Sequence, residues 1–559
     1  MSRWLRWMTG LAFMGSLLGC GGGGSTGSAS PGASSPIASS TPTPTSTSVL
    51  SVAYPVNPAL RVGMVSSVQS PLVKNSTENL PTTFTLLQGA LPPGMALRAD
   101  GSYVGTPTQE GAYDFTIQVS NDARQATDAV HVSVVPSNYH QPLAGDPGIV
   151  SYCPASGAAA YYVDSVHGLD AHDGSSPAQA WQTLAKLNAV TLKAGNVIRL
   201  ARGSVWNEQL RVDLAETGTA ASNIVFEAYG TGDAPTIIQP ADASAVYLRG
   251  AFITVLDLRV KGARLGFQLS PESKNVLLAG NEIVDVGMGI YAEGSGHRFF
   301  SNYIHDLHMI RNTPTPSDDY GAEGIVMTGS NMEAAWNRLV NCIAPSCDFE
   351  VDGGAFETWG SGTIQHIYLH HNLADNVDGF MELTNNISDL VITHNLIINS
   401  RGGLCFHIDD VAGKTYTCAN LRFENNTLLR NPKVTKGAVF TFLSSHVGQA
   451  LPGNDLLVRN NIICSNMRLA YNPEALGANF VHDHNLYFFT AGPGMGTIVL
   501  DATEKIADPQ FIDPSKTDFR LQAGSPAIDR AIGVIDGSDL DGTSIPVGAT
   551  PDMGAYEWK

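Results

Sequence analysis

The chain has 559 residues, with 32 Lys and Arg against 51 Asp and Glu, and its formal net charge is −19. An acidic surface repels nucleic-acid phosphates and anionic lipid headgroups, so we expect neither as a binding partner. Only 15% of the residues are charged and 57 are glycine. This composition is typical of a turn-rich β protein outside the cytosol and argues against a helical cytosolic enzyme.

The first twenty residues have the pattern of a bacterial export signal. Arg3 and Arg6 precede an apolar run at 8–18 that is too short to cross a bilayer as a helix. The ending LLGC at 17–20 resembles a bacterial lipobox. The resemblance implies that Cys20 is lipidated, and the glycine after it matches the sorting pattern for the outer membrane. A plain secretory signal cleaved elsewhere is the alternative.

Two segments of different character follow the signal. Residues 21–48 are a Gly/Ser and then Thr/Pro tract that cannot build a core, so they are predicted to form a flexible tether. Residues 49–137 contain short alternating runs between turn signals, the pattern of an antiparallel β-sandwich. The motifs LPPGM at 91–95 and GTP at 105–107 resemble the putative-Ig, cadherin-like modules of bacterial surface proteins. The resemblance implies a spacer or a weakly adhesive unit without chemistry of its own.

An asparagine then recurs in the same apolar frame. The positions are Asn281, Asn302, Asn337, Asn372, Asn395, Asn426, Asn461 and Asn485. Successive members are 21 to 35 residues apart, and a β-rich repeat of this length predicts a parallel β-helix with one coil per repeat. Asparagines stacked at the corners can join their amides from coil to coil and satisfy buried backbone groups.

Residues 160–530 are therefore predicted to form the β-helix, and residues 531–559 to close it. The motifs YVD at 162–164, GLD at 168–170 and GNVI at 195–198 resemble the opening of pectate-lyase-like β-helix proteins. The far end, from DPQF to MGAYE, resembles the closing segment of the same class. The resemblance implies an all-β, right-handed solenoid and is specific for the fold rather than for a reaction. A helix predicted over 178–189 would cap the apolar end of the stack.

Six cysteines follow Cys20, an even number that permits disulfides in an oxidising compartment. Cys342 with Cys347 and Cys405 with Cys418 are the candidate pairs. The spacings do not resemble a zinc site.

Four repeats carry insertions, at 311–322, 343–352, 409–418 and 444–454. Insertions on neighbouring coils build a wall beside one sheet. The result is an elongated groove, which is the shape that a polymer needs.

Strands that begin at a glycine predict the floor of this groove. They start at Gly324, Gly354, Gly379, Gly403 and Gly437, and the third residues after these glycines are Met327, Glu357, Glu382, Phe406 and Phe440. Glu357 and Glu382 are 25 residues apart, which fits one coil and places their carboxyls roughly 5 Å apart. Retaining glycosidases use about this separation. Like charges this close raise one pKa, which supplies an acid beside a nucleophile.

A second acidic set precedes the glycines and consists of Glu323, Asp352 and Asp378. The two aspartates are predicted to be supporting or substitute catalytic carboxylates, and Glu323 to contact substrate. Pairs two coils apart would lie roughly 9.6 Å apart, at the wide edge for inverting enzymes. Solvated surface carboxylates are the alternative interpretation.

Three further side chains are predicted to contact substrate. Trp359, with the neighbouring Phe356 and Phe380, suits stacking on a sugar ring. His407 lies beside the track of the glutamate pair and is a candidate substrate contact or base, and Arg401 could meet a substrate carboxylate.

Asp348, Glu350 and Asp352 alternate along the chain and would share one face of a strand. Hard carboxylate oxygens in this arrangement suit Ca²⁺, and a solvated acidic edge is the alternative. No other metal or cofactor is expected.

These observations lead to one main hypothesis and two alternatives. The main hypothesis is a monomeric, lipid-anchored glycoside hydrolase that acts on a polysaccharide through Glu357 and Glu382, in either order. The first alternative is a polysaccharide lyase that performs β-elimination on a uronic-acid polymer with Arg401, His407 and Ca²⁺. The second is a non-catalytic glycan-binding surface protein, because a fold alone does not confer activity.

Overall fold

The computed structural model describes residues 50–54, 60–61, 71–75, 81–109, 111–121, 124–135, 143–146, 160–316, 318–360, 362–407, 416–434, 437–444 and 453–559. The predicted signal at 1–20, the lipidation site Cys20 and the tether at 21–48 lie outside these ranges. The chain separates into two compact units that meet in sequence after Val135. Among the helices in the described ranges, none is long and apolar enough to cross a membrane.

The N-terminal unit is a small, mainly antiparallel β-sandwich. One sheet pairs Leu50–Ala53 with Leu72–Asn75; a second contains Leu60–Arg61, Arg124–Val135, Gly111–Asn121 and Thr83–Gly89; a hairpin pairs Met95–Leu97 with Tyr103–Gly105. Tyr103, Phe115 and Ile117 form the centre of its buried core. The LPPGM motif forms the turn before the hairpin, where Gly94 has a φ of 90° and a Cβ would lie 2.0 Å from the Thr106 carbonyl oxygen. Glycine is required there for both reasons.

The second unit is a parallel β-helix of three long sheets, as the asparagine repeat predicts. The first sheet contains Ala160–Val163, Val197–Ala201, Ile224–Tyr229, Ile253–Leu256, Leu277–Ala279, Arg298–Phe300, Met332–Ala335, Thr363–His370, Asn386–Thr393, Cys418–Glu424, Leu456–Arg459 and Phe480–Asp483. The second sheet contains Val205–Trp206, Thr236–Ile238, Arg259–Lys261, Glu282–Val284, Tyr303–His305, Arg338–Val340, Leu373–Asp375, Leu396–Ser400, Thr427–Arg430, Ile462–Ser465, Leu486–Phe489 and Lys505–Ile506. The third sheet contains Leu210–Val212, Ser244–Leu248, Leu265–Leu269, Met288–Ala292, Glu323–Met327, Gly354–Thr358, Gly379–Leu383, Gly402–His407, Ala438–Leu443 and Arg468–Tyr471.

Each coil contributes one strand to each sheet, and its inward side chains stack on those of the next coil. The interior is filled by aliphatic residues and a set of fully buried phenylalanines: Phe226, Phe267, Phe299, Phe356, Phe380, Phe406, Phe423, Phe440 and Phe442. This continuous apolar core leaves the outward side chains of the sheets free for other roles.

The eight repeating asparagines form a continuous ladder at the corner between the first and second sheets. All eight are fully buried. Each side-chain amide from Asn281 to Asn461 donates to the side-chain oxygen of the next asparagine at 2.9–3.2 Å. The residue before each asparagine is left-handed, with φ of 50° to 64°, a conformation that costs energy for residues other than glycine. The predicted amide stacking is confirmed, and it holds this turn on eight successive coils.

The helical cap is shorter than the sequence predicts. A 3₁₀ turn at Pro177–Gln179 is followed by Trp181, whose backbone bonds to Tyr162, and the α-helix covers only Leu184–Asn188. The strand-like pairing at Trp181 interrupts the predicted helix over 178–189. The Thr183 hydroxyl accepts from the Lys186 amide at 3.0 Å and caps the helix start.

The C-terminal segment folds back along the outside of the β-helix. Its regular elements are the hairpin Phe511–Asp513 and Asp518–Leu521 with a 3₁₀ turn at Pro514–Lys516; two more 3₁₀ turns lie earlier, at Pro473–Ala475 and Gly477–Asn479. Buried residues such as Phe511, Phe519 and Met553 pack on the outer faces of the first and second sheets beside the ladder.

The predicted disulfides are wrong within the described residues. Cys342, Cys347, Cys405, Cys418 and Cys464 are all unpaired. Cys342 and Cys418 point into the core, whereas Cys347 is exposed in a loop and Cys405 lies on the outer face of the third sheet. The partners of each predicted pair therefore face different environments. Cys153 lies outside the described ranges.

Candidate active site

The outer face of the third sheet carries one column of side chains in direct register. From the first coil to the last its members are Arg211, Tyr247, Gln268, Tyr291, Val326, Glu357, Glu382, Cys405, Thr441 and Tyr471. Glu357 and Glu382 are direct partners on neighbouring strands. Parallel strands are spaced at about 4.8 Å, so the two glutamates are brought side by side as the sequence predicts.

The predicted alignment is correct for this pair but wrong for the flanking strands. Met327, Phe406 and Phe440 point into the core, and the column positions are Val326, Cys405 and Thr441. The error arises because the prediction aligned the wrong glycines with one another. Gly354 and Gly379 pair in register with Glu323 and Gly402, not with Gly324 and Gly403.

Glu323 lies over the backbone of the next coil. Its carboxylate occupies the space above Gly354, where a Cβ would lie 3.0 Å from Glu323 Oε2. The side chain is only 7% exposed. Burial, followed by the charges of Glu357 and Asp352, raises the pKa of Glu323 well above its usual value. The absence of a side chain at position 354 therefore makes room for a third buried carboxyl beside the glutamate pair.

Asp352 and Asp378 line the edge of the third sheet next to these glutamates. Burial raises the pKa of Asp352 to about 8, and the charges of Glu382 and Asp378 add to the effect. Burial also raises the pKa of Asp378 to about 7, although Arg401 opposes this increase. Arg401 donates to Asp378 at 3.1 Å and lies 3.4 Å from Glu350. The Arg401 guanidinium is thus held by two carboxylates.

Glu357 and Glu382 occupy different environments. Glu357 is 8% exposed, and burial followed by the charges of Glu382 and Asp352 raises its pKa well above the usual value. The side chain of Glu382 is 31% exposed, and its Oε1 lies 2.6 Å from His407 Nε2. A buried carboxyl that keeps its proton therefore stands beside a more accessible carboxyl with a nitrogen partner.

Of the three aromatic residues predicted to flank the carboxylates, Trp359 lies on the outer face of the third sheet. It is half-buried, and its ring meets that of Tyr291 edge to face with centroids 5.9 Å apart. The prediction that Phe356 and Phe380 also flank the carboxylates is wrong, because both rings are fully buried in the core. Their positions alternate with those of the outward residues.

Two hairpins from neighbouring insertions stand together along one edge of the third sheet. One pairs Met309–Arg311 with Tyr320–Gly321, and the other pairs Ala344–Ser346 with Glu350–Asp352. Asn312 joins them: its amide donates to the Pro345 carbonyl at 2.8 Å and its oxygen accepts from the Cys347 amide at 2.9 Å. The first two predicted insertions therefore form a wall, whereas most of the other two lies outside the described ranges.

The predicted calcium set does not come together. Asp348 accepts from the backbone amides of Asp318 and Asp319, whereas Glu350 reaches Arg401 and Asp352 joins the glutamates. A turn at 347–349 and a φ of 71° at Glu350 break the strand alternation that the prediction assumed. Asp318, Asp319 and Asp348 form an acidic group instead, and hydrogen bonds within the two hairpins account for it.

Two residues of this face, Cys405 and Tyr291, were not among the predicted site residues. Cys405 follows Glu382 in the column, and its sulfur lies within 4.8 Å of side-chain atoms of Glu382 and His407. Burial and the charge of Glu382 raise the pKa of its thiol well above the usual value, so the thiol stays protonated. Aligning Gly402 instead of Gly403 with Gly379 would have found it. The sequence around Tyr291 contains no feature that indicates a site. Only the strand register, through Val326 to Glu357, places Tyr291 in the column.

A surface cleft at the first strand of the third sheet differs from this site. It measures about 440 Å³ and lies beside the capping helix, lined by Glu208, Arg211 and Asp213 among others. Glu208 accepts from the Ala185 amide at 2.6 Å, and Asp213 pairs with Arg211 at 2.6 Å. Both carboxylates of this cleft therefore have a local partner.

Comparison with known proteins finds similarity to an Ig-like family and to carbohydrate-active proteins. Residues 36–135 match the family described as Putative Ig domain. A lacto-N-biosidase of Bifidobacterium longum subsp. longum is 22% identical over 292 residues, which is 48% of this chain and 18% of that protein. The chain thus spans about a fifth of the length of this curated relative.

Among solved structures, pectate lyase Pel9A matches with a TM-score of 0.44 at 14% identity, covering 73% of this chain and 98% of that one. A GH136 lacto-N-biosidase from Eubacterium ramulus matches with a TM-score of 0.34 at 16% identity, covering 62% of this chain and 67% of that one.

Proposed function

We propose that this chain is a glycoside hydrolase that cleaves a polysaccharide with retention of anomeric configuration. The observation that carries the proposal is the direct pairing of Glu357 and Glu382 on the outer face of the third sheet. Neighbouring parallel strands are about 4.8 Å apart, close to the carboxyl separation of about 5 to 5.5 Å that double displacement uses, which supports the proposal.

Glu357 is the general acid and base. Burial keeps its carboxyl protonated above the usual range, so it can donate a proton to the glycosidic oxygen as the bond to the leaving sugar breaks. In the second step the resulting carboxylate takes a proton from water, which attacks the anomeric carbon and releases the sugar.

Glu382 is the nucleophile. Its carboxylate attacks the anomeric carbon and forms a glycosyl ester while the leaving oxygen receives the proton of Glu357. His407 Nε2 donates to Glu382 Oε1 at 2.6 Å, because an ionised carboxylate can only accept. This hydrogen bond orients the nucleophile. Asp352 and Asp378 are supporting carboxylates, and Glu323, Trp359 and Arg401 contact the substrate.

The surroundings of Arg401 favour a neutral substrate. Its guanidinium is already paired with Asp378 and Glu350. β-Elimination on a uronic-acid polymer requires a positive charge at the substrate carboxylate, whereas this one is engaged by two carboxylates of the protein. Hydrolysis of a neutral glycan is therefore preferred over β-elimination.

The test is a panel of purified polysaccharides, scored for new reducing ends and for the ultraviolet absorbance of an unsaturated product. Hydrolysis gives reducing ends alone, with the product anomer retained in proton NMR spectra taken early. We expect Glu357→Gln and Glu382→Gln each to lower kcat/KM by at least about 1000-fold. Glu474→Gln, at an exposed site on the last coils, is the matched control.

Three results would overturn this assignment. An absorbing product that requires Ca²⁺ would establish a lyase. Retention on a glycan without any product would establish a binding protein. Full activity in both glutamine variants would remove the pair from the mechanism.

We also propose that the protein is exported and anchored to the outer membrane through Cys20. The proposal rests on Arg3, Arg6 and the LLGC motif at 17–20. Metabolic labelling with a tagged fatty acid should mark the wild type and not Cys20→Ser. Equal labelling of both chains would refute the anchor.

A further inference from the structure

A separate cluster of titratable side chains lies where the C-terminal segment crosses the ladder corner. His370 ends the first-sheet strand Thr363–His370, and His371 follows at the corner with a φ of 54°. Asp536 comes from the C-terminal segment, and one ligand atom from each of these three residues lies within 4.8 Å of the others. The corner belongs to the first and second sheets, whereas the carboxylate column belongs to the third.

The outer partners of the two histidines fix which nitrogens carry protons. His371 Nε2 faces the Ser538 carbonyl oxygen at 2.9 Å, and His370 Nε2 faces Glu333 Oε1 at 3.0 Å. Both oxygens are acceptors, so both Nε2 atoms donate. In a neutral ring the other nitrogen, Nδ1, then carries a lone pair. The partners Glu333 and Ser538 are of the type that orients metal-bound imidazoles.

The two Nδ1 atoms face each other at 2.8 Å. With each Nε2 donating outward, to Ser538 and to Glu333, a neutral ring of either histidine has an Nδ1 that can only accept. Two lone pairs at this distance repel unless a cation lies between them. A proton on His370 is one solution, and a metal ion is the other.

Asp536 supplies an anionic oxygen to the same place. Its side chain is 8% exposed and accepts from His394 Nδ1 at 2.6 Å and from the Tyr368 hydroxyl. Each carboxylate oxygen retains a further lone pair. His394 stacks on His371 with ring centroids 5.3 Å apart. Tyr368 and His394 of the β-helix thus hold the Asp536 carboxylate close to His370 and His371.

We propose that His370, His371 and Asp536 bind one divalent metal ion, with zinc preferred, that fastens the C-terminal segment to the β-helix. Two imidazoles and a carboxylate match the donors that zinc takes, with water in the fourth position. Zinc–nitrogen distances of 2.0–2.1 Å put two nitrogens of a tetrahedral site roughly 3.3 Å apart. The rings therefore need to separate by about half an ångström.

The test uses the full chain, freed of metal with a chelator and titrated with zinc chloride in a calorimeter. We expect one zinc per chain, a higher thermal unfolding midpoint in zinc, and a visible absorption band of tetrahedral character when cobalt replaces zinc. His370→Ala and Asp536→Asn should each weaken zinc binding at least about 100-fold, because each removes one of three protein ligands. His308→Ala removes a partly exposed histidine paired with Asp285 and is the matched control.

Several results would overturn the site. They are no heat of binding up to millimolar zinc, binding that survives both variants, and loss of binding in His407→Ala instead, which would move the ion to the group formed by Glu382, Cys405 and His407. Circular dichroism shows whether each variant is folded. If His370→Ala is unfolded, Asp536→Asn together with the cobalt spectrum of the wild type decides the question. A wild type that binds no metal but loses stability on His370→Ala would assign the bridge to a proton.

Discussion

The ladder corner and the outer column of the third sheet are built by the same coils but obey different rules. At the corner, the same side chain occurs on eight successive coils, and each of the first seven asparagines donates to the next. In the column, the residue type varies along the coils, from Tyr291 and Val326 through the pair Glu357 and Glu382 to Cys405. Repetition marks the position that the backbone needs, and variation marks the position that is available for chemistry.

The ladder corner and the column also differ in the surroundings of their buried polar groups. The buried ladder amides are matched by acceptors, and this stabilises the fold. The carboxyls of the column are buried beside one another, and their raised pKa values record an electrostatic cost. A protein keeps such a cluster where it serves a purpose other than stability.

The largest expected effect falls on the ladder. Asn395→Ala removes the donor to the carbonyls of Leu369 and Thr393, and the link to Asn372 and Asn426. We expect the free energy of unfolding to fall by about 3–5 kcal/mol, since each buried group left without a partner costs about 1–3 kcal/mol. Urea denaturation measures this.

The control for the ladder is Asn207→Ala, at an exposed asparagine, which should change stability by less than about 0.5 kcal/mol. If both substitutions have equal effects, the ladder does not support the fold.

The next effect concerns the nucleophile's partner. His407→Ala removes the hydrogen bond to Glu382, and kcat should fall about 10- to 100-fold, because a hydrogen bond to a charged group is worth about 1.5–3 kcal/mol. KM should stay nearly constant, and the pH profile should shift. His407→Gln, which keeps an N–H donor, should recover part of the rate. A loss confined to KM would mean that His407 only binds substrate.

A third effect is a pH dependence of stability. Asp352 has a raised pKa of about 8 in the folded protein, so the folded state holds a proton that the unfolded chain releases near pH 4. Stability from this group is full at low pH and is lost as the pH rises from about 4 to about 8. Asp352→Asn should therefore match the wild type below about pH 4, and its stability should exceed that of the wild type by a margin that grows by up to about 1.4 kcal/mol per pH unit between pH 4 and pH 8.

Thermal unfolding from pH 5 to pH 9 tests this expectation. Asp242→Asn, at an exposed aspartate, should leave the curve unchanged. Parallel curves for Asp352→Asn and the wild type would mean that the carboxyl is not held in the protonated form.

The smallest expected effect concerns Gly354 and Gly379, which are aligned on neighbouring strands of the third sheet. A Cβ at Gly354 meets Glu323 Oε2 at 3.0 Å, whereas one at Gly379 meets nothing within 4 Å. Gly354→Ala should displace the Glu323 carboxyl, lower kcat/KM about threefold, and shift the pH optimum, at a cost in stability below about 1 kcal/mol. Gly379→Ala should leave both unchanged. Equal kinetics for the two variants would show that Glu323 does not act on the glutamate pair.

The parts of the fold that repeat could be predicted from the sequence. The asparagines reveal the coil length, and a spacing of one coil between Glu357 and Glu382 is enough to bring them together. The register of single residues could not be predicted where two glycines are adjacent, as at Gly402 and Gly403. A shift of one residue exchanges the buried Phe406 for the outward Cys405.

The local sequence did not indicate the contacts that insertions and distant segments of the chain make. The alternation of Asp348, Glu350 and Asp352 suggested a shared face, but a hairpin turn separates them. The zinc cluster was missed for the same reason. His370 and His371 come directly before the ladder residue Asn372, and nothing in the local sequence indicates that Asp536 folds back onto them.

The ladder also has a defined last step. Asn485 donates to Glu504 Oε1 at 2.8 Å where another asparagine would otherwise stand, and the Tyr487 hydroxyl donates to the same oxygen at 2.7 Å. A carboxylate can receive the terminal amide without passing a donor onward. Whole turns inserted before this terminator would need only one asparagine each to continue the row, so a chain of this kind can lengthen by duplication without changing its ends.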